Sequence, residues 1–101
     1  MISLKKKKDF DRAYKGKTIA GKLIFLKIQK NNLDVSRFGF VVSSKISKRA
    51  VIRNRIKRRL KEIVKGFKLK GFDVIITVKL EIVDKTYQEI KSDFENVIKN
   101  I

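Results

Sequence analysis

Stretches with strand-like and with helical patterning alternate along this sequence, and the alternation predicts an α+β fold. Residues 18–29 and 37–43 are dense in β-branched and aromatic side chains, which is typical of strands. Residues 47–67 instead repeat apolar side chains at helical spacing. A chain of 101 residues with 43% hydrophobic content can bury one core but not two, so we expect a single domain over residues 1–101.

A helix is predicted near each end of the chain and one in the middle. Residues 5–15 have an apolar repeat made of Phe10, Ala13 and Tyr14 and closed by Gly16. The middle helix has one apolar stripe, made of Ile52, Ile56, Leu60, Ile63, Val64 and Phe67. The last helix begins at Thr86, which has the capping-box spacing with Glu89. Its apolar repeat consists of Tyr87, Ile90, Phe94, Val97, Ile98 and Ile101.

The predicted strands lie between these helices. Gly21 is a candidate break in the first strand region, so that region holds one or two strands, and Asn31-Asn32 supplies the turn after it. Residues 72–78 (FDVIITV) form a short apolar strand that belongs in the interior of a sheet. The predicted order is helix, two or three strands, helix, strand, helix. The strand-helix-strand stretch over residues 36–79 is expected to pair its two strands in parallel.

Composition excludes several classes of chemistry. The sequence has no cysteine and no histidine, so disulfides, thiolate metal sites and imidazole catalysis are ruled out. Its acidic residues do not cluster as phosphodiester-cleaving metal sites require, because Asp9 and Asp11 point to different faces and Glu89 and Asp93 are expected on a solvated helix side. No apolar run approaches the roughly 20 residues that span a bilayer, and lysines fill residues 5–8 where a signal peptide is apolar. We expect a soluble, cytoplasmic protein with no catalytic residue or metal ligand of its own.

The net charge indicates the kind of partner. The chain has 27 Lys and Arg against 10 Asp and Glu, for a formal charge of +17. Residues 37–70 contain 13 basic residues and one acidic residue, whereas residues 71–101 contain 4 and 6. A solubilising surface normally mixes the two signs. The excess therefore predicts a polyanionic partner that contacts the middle of the chain.

The basic residues concentrate on the middle helix. Like charges at i, i+4, such as Arg53 and Lys57, oppose the helix by about 0.2–0.5 kcal/mol per pair, so the apolar stripe must hold it against the sheet. A helical projection places Arg53 and Lys57 on one flank of that stripe, Arg55 and Arg59 on the other, and Asn54 facing outward. Guanidinium groups suit bidentate contact with phosphate oxygens, and such contacts position a nucleic acid without reading its sequence. The pattern therefore predicts a phosphate-binding helix.

The segment SSKISKRAVIRNRIKRRLKEIV, residues 43–64, resembles the signature of the bacterial ribonuclease P protein, whose core is Arg-Asn-Arg followed by a further basic turn. Here that core is Arg53-Asn54-Arg55. The flanking segments DFDRAYKGK, RFGFVVSSK, FDVIITVK and KTYQEIK resemble the same family in order and spacing, over about residues 4–100. The resemblance implies a two-layer α-β-β-β-α-β-α sandwich with a left-handed β-α-β crossover.

In the family that the sequence resembles, the RNA is the catalyst, and the protein assists removal of the single-stranded 5′ leader from precursor tRNA. The resemblance thus implies an accessory subunit of an endoribonuclease, with magnesium serving the RNA-protein holoenzyme and no cofactor on the protein alone. It assigns contacts with the catalytic RNA to Arg49, Arg53, Asn54, Arg55, Lys57, Arg58 and Lys61. It assigns a leader-binding cleft, between that helix and one face of the sheet, to Phe10, Tyr14, Lys27, Val41, Ser43 and Lys45.

The cleft departs from the family pattern at two positions. Lys27 stands where the family often has an aromatic residue, and Ser44 stands where a lysine is usual, so ionic contact is expected to replace part of the stacking. Phe10 and Tyr14 offer two faces for bases, each stacked base being worth about 1–3 kcal/mol. The same i, i+4 spacing is equally typical of core residues. The sequence leaves both interpretations of this pair open.

Other function classes compete with this interpretation. A ribosomal-type structural RNA-binding protein would share the charge and is the main alternative. A DNA-binding module is disfavoured because no helix-turn-helix pair is present. A membrane-surface helix is disfavoured because the basic segment lacks aromatic anchors before Phe67. The expected partners are therefore the catalytic RNA and precursor tRNA, with neither DNA nor a membrane.

Overall fold

A computed structural model describes residues 2–101 as one five-stranded sheet with three helices. The elements in chain order are β1 (Ile2–Ser3), α1 (Lys7–Tyr14), β2 (Lys17–Ala20), β3 (Ile24–Lys30), β4 (Arg37–Val41), α2 (Ala50–Lys65), β5 (Phe72–Val78) and α3 (Tyr87–Ile98), with a 3-10 turn at Leu80–Asp84. The predicted α-β-β-β-α-β-α order is confirmed. The two-residue strand β1 is an addition, since so short a segment has no periodicity to detect.

The strand order across the sheet is β1-β4-β5-β3-β2. β4 and β5 are parallel neighbours joined by α2, as the strand-helix-strand pattern predicts, and β3 pairs antiparallel with β5 and β2. Gly21 lies in the turn between β2 and β3, where α3 packs too closely to leave room for a side chain. A Cβ at Gly21 would lie 2.5 Å from Val97 Cγ2. In the turn after β3, Asn32 adopts a φ of 60°, which asparagine tolerates better than most residues. The left-handed crossover stays an expectation from the resemblance.

The core face of the sheet is covered by α2 and α3. From β3 and β5 it receives Ile24, Leu26, Ile28, Val74, Ile76 and Val78. The helices contribute Ile56, Leu60, Ile63, Val64, Ile90, Phe94 and Val97. The apolar stripes predicted for the two helices are therefore confirmed as core except at Ile101, which lies beyond the end of α3 and is exposed. The Thr86–Glu89 capping box also forms, with both of its reciprocal hydrogen bonds present.

The opposite face, here called the second face, is covered only in part, by α1. Ala13 is fully buried there and forms a small cluster with Leu4 and Ile75. Gly39 of β4 lies beneath the ring of Phe10, since a Cβ on that glycine would be 2.6 Å from Phe10 Cε1. The two-layer sandwich thus consists of the sheet with α2 and α3, and α1 lies on its far side.

Candidate nucleic-acid interface

The outward side of α2 is the most basic surface of the fold. Its apolar stripe faces the sheet, so Asn54, Arg55, Arg58 and Lys61 are exposed, as is Arg49 at the helix N-cap. Arg53 and Lys57, which the sequence places on a flank of the stripe, are partly buried. The first turn of α2 contains no acidic residue. A positively charged helix start with exposed guanidinium groups attracts phosphate through both the side chains and the helix dipole.

Two arginines of α2 also hold the protein's own backbone. Arg53 Nη1 donates a hydrogen bond to the Ser47 carbonyl oxygen at 2.7 Å, which fixes the turn that leads into the helix. Arg59 Nη1 donates to the Lys85 carbonyl oxygen at 3.3 Å and ties α2 to the segment before α3. Within residues 2–101, the side chains of Arg55 and Arg58 make no hydrogen bond of this kind. Arg55 and Arg58 are therefore the arginines of this helix most available to a partner.

The residues assigned to a cleft come together, but not beside α2. Lys27 and Val41 point to the second face, because their strand neighbours Ile28 and Phe40 pack on the core face. The expectation of a cleft between the basic helix and the sheet is wrong, since the apolar stripe of α2 occupies the core face. The wall of the groove is instead α1. Ser43 and Lys45 are exposed in the turn after β4.

We call this region the α1 groove: its wall is α1, with Phe10 and Tyr14, and its floor is the uncovered half of the second face. The floor consists of Thr18, Ala20, Phe25, Lys27, Val41 and Thr77, all of them exposed or partly buried. α1 covers the other half, where Arg12 Nη2 donates to the Lys30 carbonyl oxygen at 3.1 Å. The groove opens at the end of the sheet where β4 finishes and the turn into α2 begins. The floor and the start of the basic helix therefore share one end of the molecule.

The two aromatic residues of α1 differ in environment. Phe10 is partly buried and packs against the second-face cluster, with its ring edge over Gly39. Tyr14 is 43% exposed, and its ring centroid lies 6.5 Å from that of Phe10 in a tilted arrangement. The sequence leaves open whether these two rings are core residues or stacking faces. The structure favours a core role for Phe10, whereas Tyr14 presents an exposed face that a base could stack on.

A partly buried ion pair links α1 to the sheet. Asp73 is 1% exposed and receives a bidentate contact from Arg37, whose Nε and Nη2 donate at 2.8 and 2.7 Å. Asn31 Nδ2 donates a further hydrogen bond at 3.0 Å to the same carboxylate. Arg37 Nη1 also reaches Asp9 Oδ2 on α1 at 3.3 Å, so one guanidinium joins the helix to the sheet. Asp9 is thus held by a partner instead of solvated.

Electrostatics at this pair favour the charged forms. Burial alone would raise the pKa of Asp73, but the hydrogen bonds from Arg37 and Asn31 and the positive charge of Arg37 outweigh it and hold that pKa below its ordinary value. The hydrogen bond with Asp73 raises the pKa of Arg37. Sequence reasoning missed this pair, because Arg37 and Asp73 are 36 residues apart and meet only through the β4–β5 register.

The expectation that Asp93 is solvated is wrong. Asp93 is 7% exposed and accepts backbone N–H bonds from Lys22 at 2.8 Å, Leu23 at 2.8 Å and Ile24 at 3.1 Å. The tight turn between β2 and β3 leaves these donors without strand partners, and α3 brings a carboxylate to them. Glu89, by contrast, is exposed and serves the capping box. Both carboxylates hydrogen-bond to backbone N–H groups of the fold.

Across residues 2–101, no group of three or more acidic side chains is placed to hold a metal ion. No helix of that stretch combines the length and apolar character needed to cross a membrane.

Comparison with known proteins identifies the family. The family model described as Ribonuclease P matches residues 2–101. The ribonuclease P protein component of Clostridioides difficile is 38% identical over 101 residues, covering 95% of this chain and 88% of that protein. The one from Alkaliphilus oremlandii is also 38% identical, covering 97% and 89%.

Solved structures agree in fold. The RNase P protein of Staphylococcus aureus superposes with a TM-score of 0.88 at 32% identity, covering 98% of this chain and 94% of that one. The RNase P protein of Thermotoga maritima gives a TM-score of 0.88 at 28% identity, covering 100% and 98%. These matches extend over the α2 segment and the whole sheet alike. The chain belongs to the ribonuclease P protein family.

Proposed function

We propose that this protein is the protein component of ribonuclease P, which binds the catalytic RNA and the 5′ leader of precursor tRNA while the RNA cleaves the leader off. The observation that carries the proposal is the Arg53-Asn54-Arg55 turn on an exposed basic helix, in a chain that matches the family over residues 2–101. A protein that screens phosphates and positions a substrate needs no catalytic side chain.

The outward side of α2 is the proposed contact with the catalytic RNA. Arg55 and Arg58 have exposed side chains without a hydrogen-bond partner within residues 2–101, so binding phosphate breaks no internal bond. Phosphate contact also relieves the like-charge repulsion along the helix. Arg53 contributes by fixing the turn into α2 as well as by its charge. Arg49, Asn54, Lys57 and Lys61 complete the proposed contact.

The α1 groove is the proposed site for the leader. Single-stranded RNA is bound by a positive track together with aromatic faces. Tyr14 supplies an exposed ring on the wall, and Lys27 supplies a charge on the floor. Ser43 and Lys45 lie where the groove meets the turn into α2. A leader in the groove would therefore lie next to RNA bound on the basic helix.

The chemistry of cleavage is proposed to reside in the RNA, in the cytoplasm where precursor tRNA is processed. Magnesium serves the RNA-protein holoenzyme in this proposal, supplying Lewis-acid stabilisation of the phosphodiester oxygens. The protein's residues bind, orient and neutralise: they lower the repulsion between two RNAs that must meet at one site.

Reconstitution tests the proposal. Adding the protein to a bacterial ribonuclease P RNA at low magnesium should restore removal of the leader from precursor tRNA. The cut should fall at the mature 5′ end of the tRNA. The double variant Arg55→Ala/Arg58→Ala should restore much less at the same concentration. Lys22→Ala/Lys99→Ala, which removes the same charge from exposed positions away from α2, is the matched control and should behave like wild type. No rescue by wild type would favour a ribosomal-type RNA-binding protein instead. Equal rescue by all three proteins would contradict the contact assigned to Arg55 and Arg58.

A further inference from the structure

Phe25 is the one phenylalanine that does not take part in a core cluster. The sequence has seven, and the structure describes all of them. Six pack into the core-face cluster or the second-face cluster: Phe10, Phe38, Phe40, Phe67, Phe72 and Phe94. Phe25 is only partly buried and joins neither. A large aromatic ring left outside both cores of a small protein requires another explanation.

The neighbours of Phe25 leave its ring open. In the sheet register it lies directly between Ala20 of β2 and Thr77 of β5, both on the second face. Neither side chain is large enough to cover an aromatic face, and Ala20 is itself exposed. None of the helices within residues 2–101 covers this half of the face, because α1 lies over the half that holds Asp73 and Ile75. Phe25 therefore offers an accessible ring on the floor of the α1 groove.

The charge beside the ring determines what it can bind. Lys27 lies two residues along the same strand and on the same face, about 7 Å away at ordinary strand rise. An aromatic face with a cation at that spacing fits a nucleotide, whose base stacks while its phosphate is neutralised. An apolar protein partner would have to leave Lys27 desolvated and would meet a chain of charge +17. An unpaired stretch of RNA is the occupant that this chemistry favours.

We propose that Phe25 stacks on an unpaired leader base in the α1 groove, with Lys27 on the adjacent phosphate. The inference rests on the proposed function, since it specifies a contact within the leader site. The family often has an aromatic residue at position 27, where this chain has Lys27. In this chain the stacking ring is instead Phe25, which lies one row of the sheet away, beside Thr77. Stacking and ionic contact then act together on successive parts of one strand.

The test uses the reconstituted holoenzyme with precursor tRNA and with mature tRNA. Phe25→Leu keeps an apolar side chain but removes the flat ring, so precursor affinity should fall by about 5- to 150-fold. Affinity for mature tRNA should change less than twofold. Phe25→Trp keeps a stacking face and should retain precursor affinity. Phe40→Leu is the matched control: a partly buried phenylalanine on β4 of the same sheet, packed on the core face, whose loss should lower stability without changing the precursor-to-mature ratio.

Abasic leader nucleotides make the test specific. At one leader position, removing the base should weaken binding of the precursor to the wild-type complex. The same removal should leave binding to the Phe25→Leu complex unchanged, which is the coupling expected of a direct contact. If no position shows that coupling, or if Phe25→Leu weakens precursor and mature tRNA equally, the Phe25 assignment fails. If wild-type holoenzyme itself binds precursor no tighter than mature tRNA, the leader site as a whole fails, which is a separate outcome.

Discussion

The outward side of α2 and the α1 groove are both proposed to bind RNA, yet they are built in opposite ways. The α2 surface belongs to one continuous helix, oriented by a stripe that includes Ile56 and Leu60. The groove is assembled from α1 and four strands, and its shape depends on the contact of Phe10 with Gly39. The first surface tolerates loss of a side chain with the fold intact. The second should respond to any change that moves α1 on the sheet.

The largest effect is expected at the ion pair beneath α1. Asp73→Asn leaves the partly exposed Arg37 guanidinium without its bidentate carboxylate, and losing hydrogen bonds to a charged group costs about 1.5–3 kcal/mol. Denaturant unfolding should show this loss as a lower midpoint. Asp34→Asn, the same change at an exposed position in the neighbouring turn, should leave the midpoint nearly unchanged. Equal midpoints for the two variants would contradict a stabilising role for the pair.

The same pair predicts the pH dependence of stability. The pKa of folded Asp73 lies below its ordinary unfolded value, so its contribution is present above the unfolded pKa and is lost as pH falls through the folded pKa. Wild-type stability should therefore decline on acidification below about pH 4, the ordinary range of an aspartate. Asp73→Asn should show a flatter acid limb in denaturant titrations at several pH values. An identical acid limb in both proteins would show that other carboxylates account for it.

An intermediate effect is expected where α1 touches the sheet. Gly39→Ala places a methyl group 2.6 Å from Phe10 Cε1, so the ring and its helix must shift. Overpacking of this kind costs about 1–3 kcal/mol. Precursor affinity of the holoenzyme should fall with it, while binding of the catalytic RNA alone should persist. Gly66→Ala, whose nearest contact is 3.4 Å away at the end of α2, is the control and should be neutral or slightly stabilising.

The smallest effect is expected at the outer end of the same network. Asp9→Asn breaks the 3.3 Å contact with Arg37 and removes the acidic charge from the first turn of α1, and each of these interactions is worth about 0.2–1 kcal/mol. Asp11→Asn makes the same change on an exposed residue of the same helix. The two variants are compared by thermal unfolding and by the precursor-to-mature affinity ratio. The difference between them reports the effect of the Asp9–Arg37 contact beyond the loss of one negative charge. We expect a small loss in both measurements for Asp9→Asn alone, and identical behaviour would remove the tether from the account.

What the sequence could predict follows the same division. The bounds of β5, the stripe of α2 and the α3 cap depend on residues close together in the chain, so periodicity was sufficient. The wall of the groove, the Arg37–Asp73 pair and the buried Asp93 depend on strand register and on helices meeting turns. Nothing local distinguishes Asp93 from a solvated helix acid. The position of Phe25 on the second face follows from alternation with Ile24 and Leu26 only once the covered face is known.

Phe10 shows how the structure reorders a sequence-based expectation. The sequence leaves Phe10 open between leader stacking and the core, and in the structure its ring packs against Leu4, Ala13 and Ile75. Its loss should therefore lower stability as well. Tyr14 and Phe25 are the cleaner reporters of stacking, because neither belongs to a core cluster.

The salt dependence of binding to ribonuclease P RNA tests the central claim most directly. If the outward side of α2 neutralises about four to six phosphates, a plot of log affinity against log salt concentration should have a slope of about −3 to −5. Arg55→Ala/Arg58→Ala should make that slope shallower by about 1.4–1.8, the share of two phosphate contacts, with an unchanged unfolding midpoint. A wild-type slope flatter than about −1, or a double variant with the wild-type slope, would contradict the assignment of α2 to RNA binding.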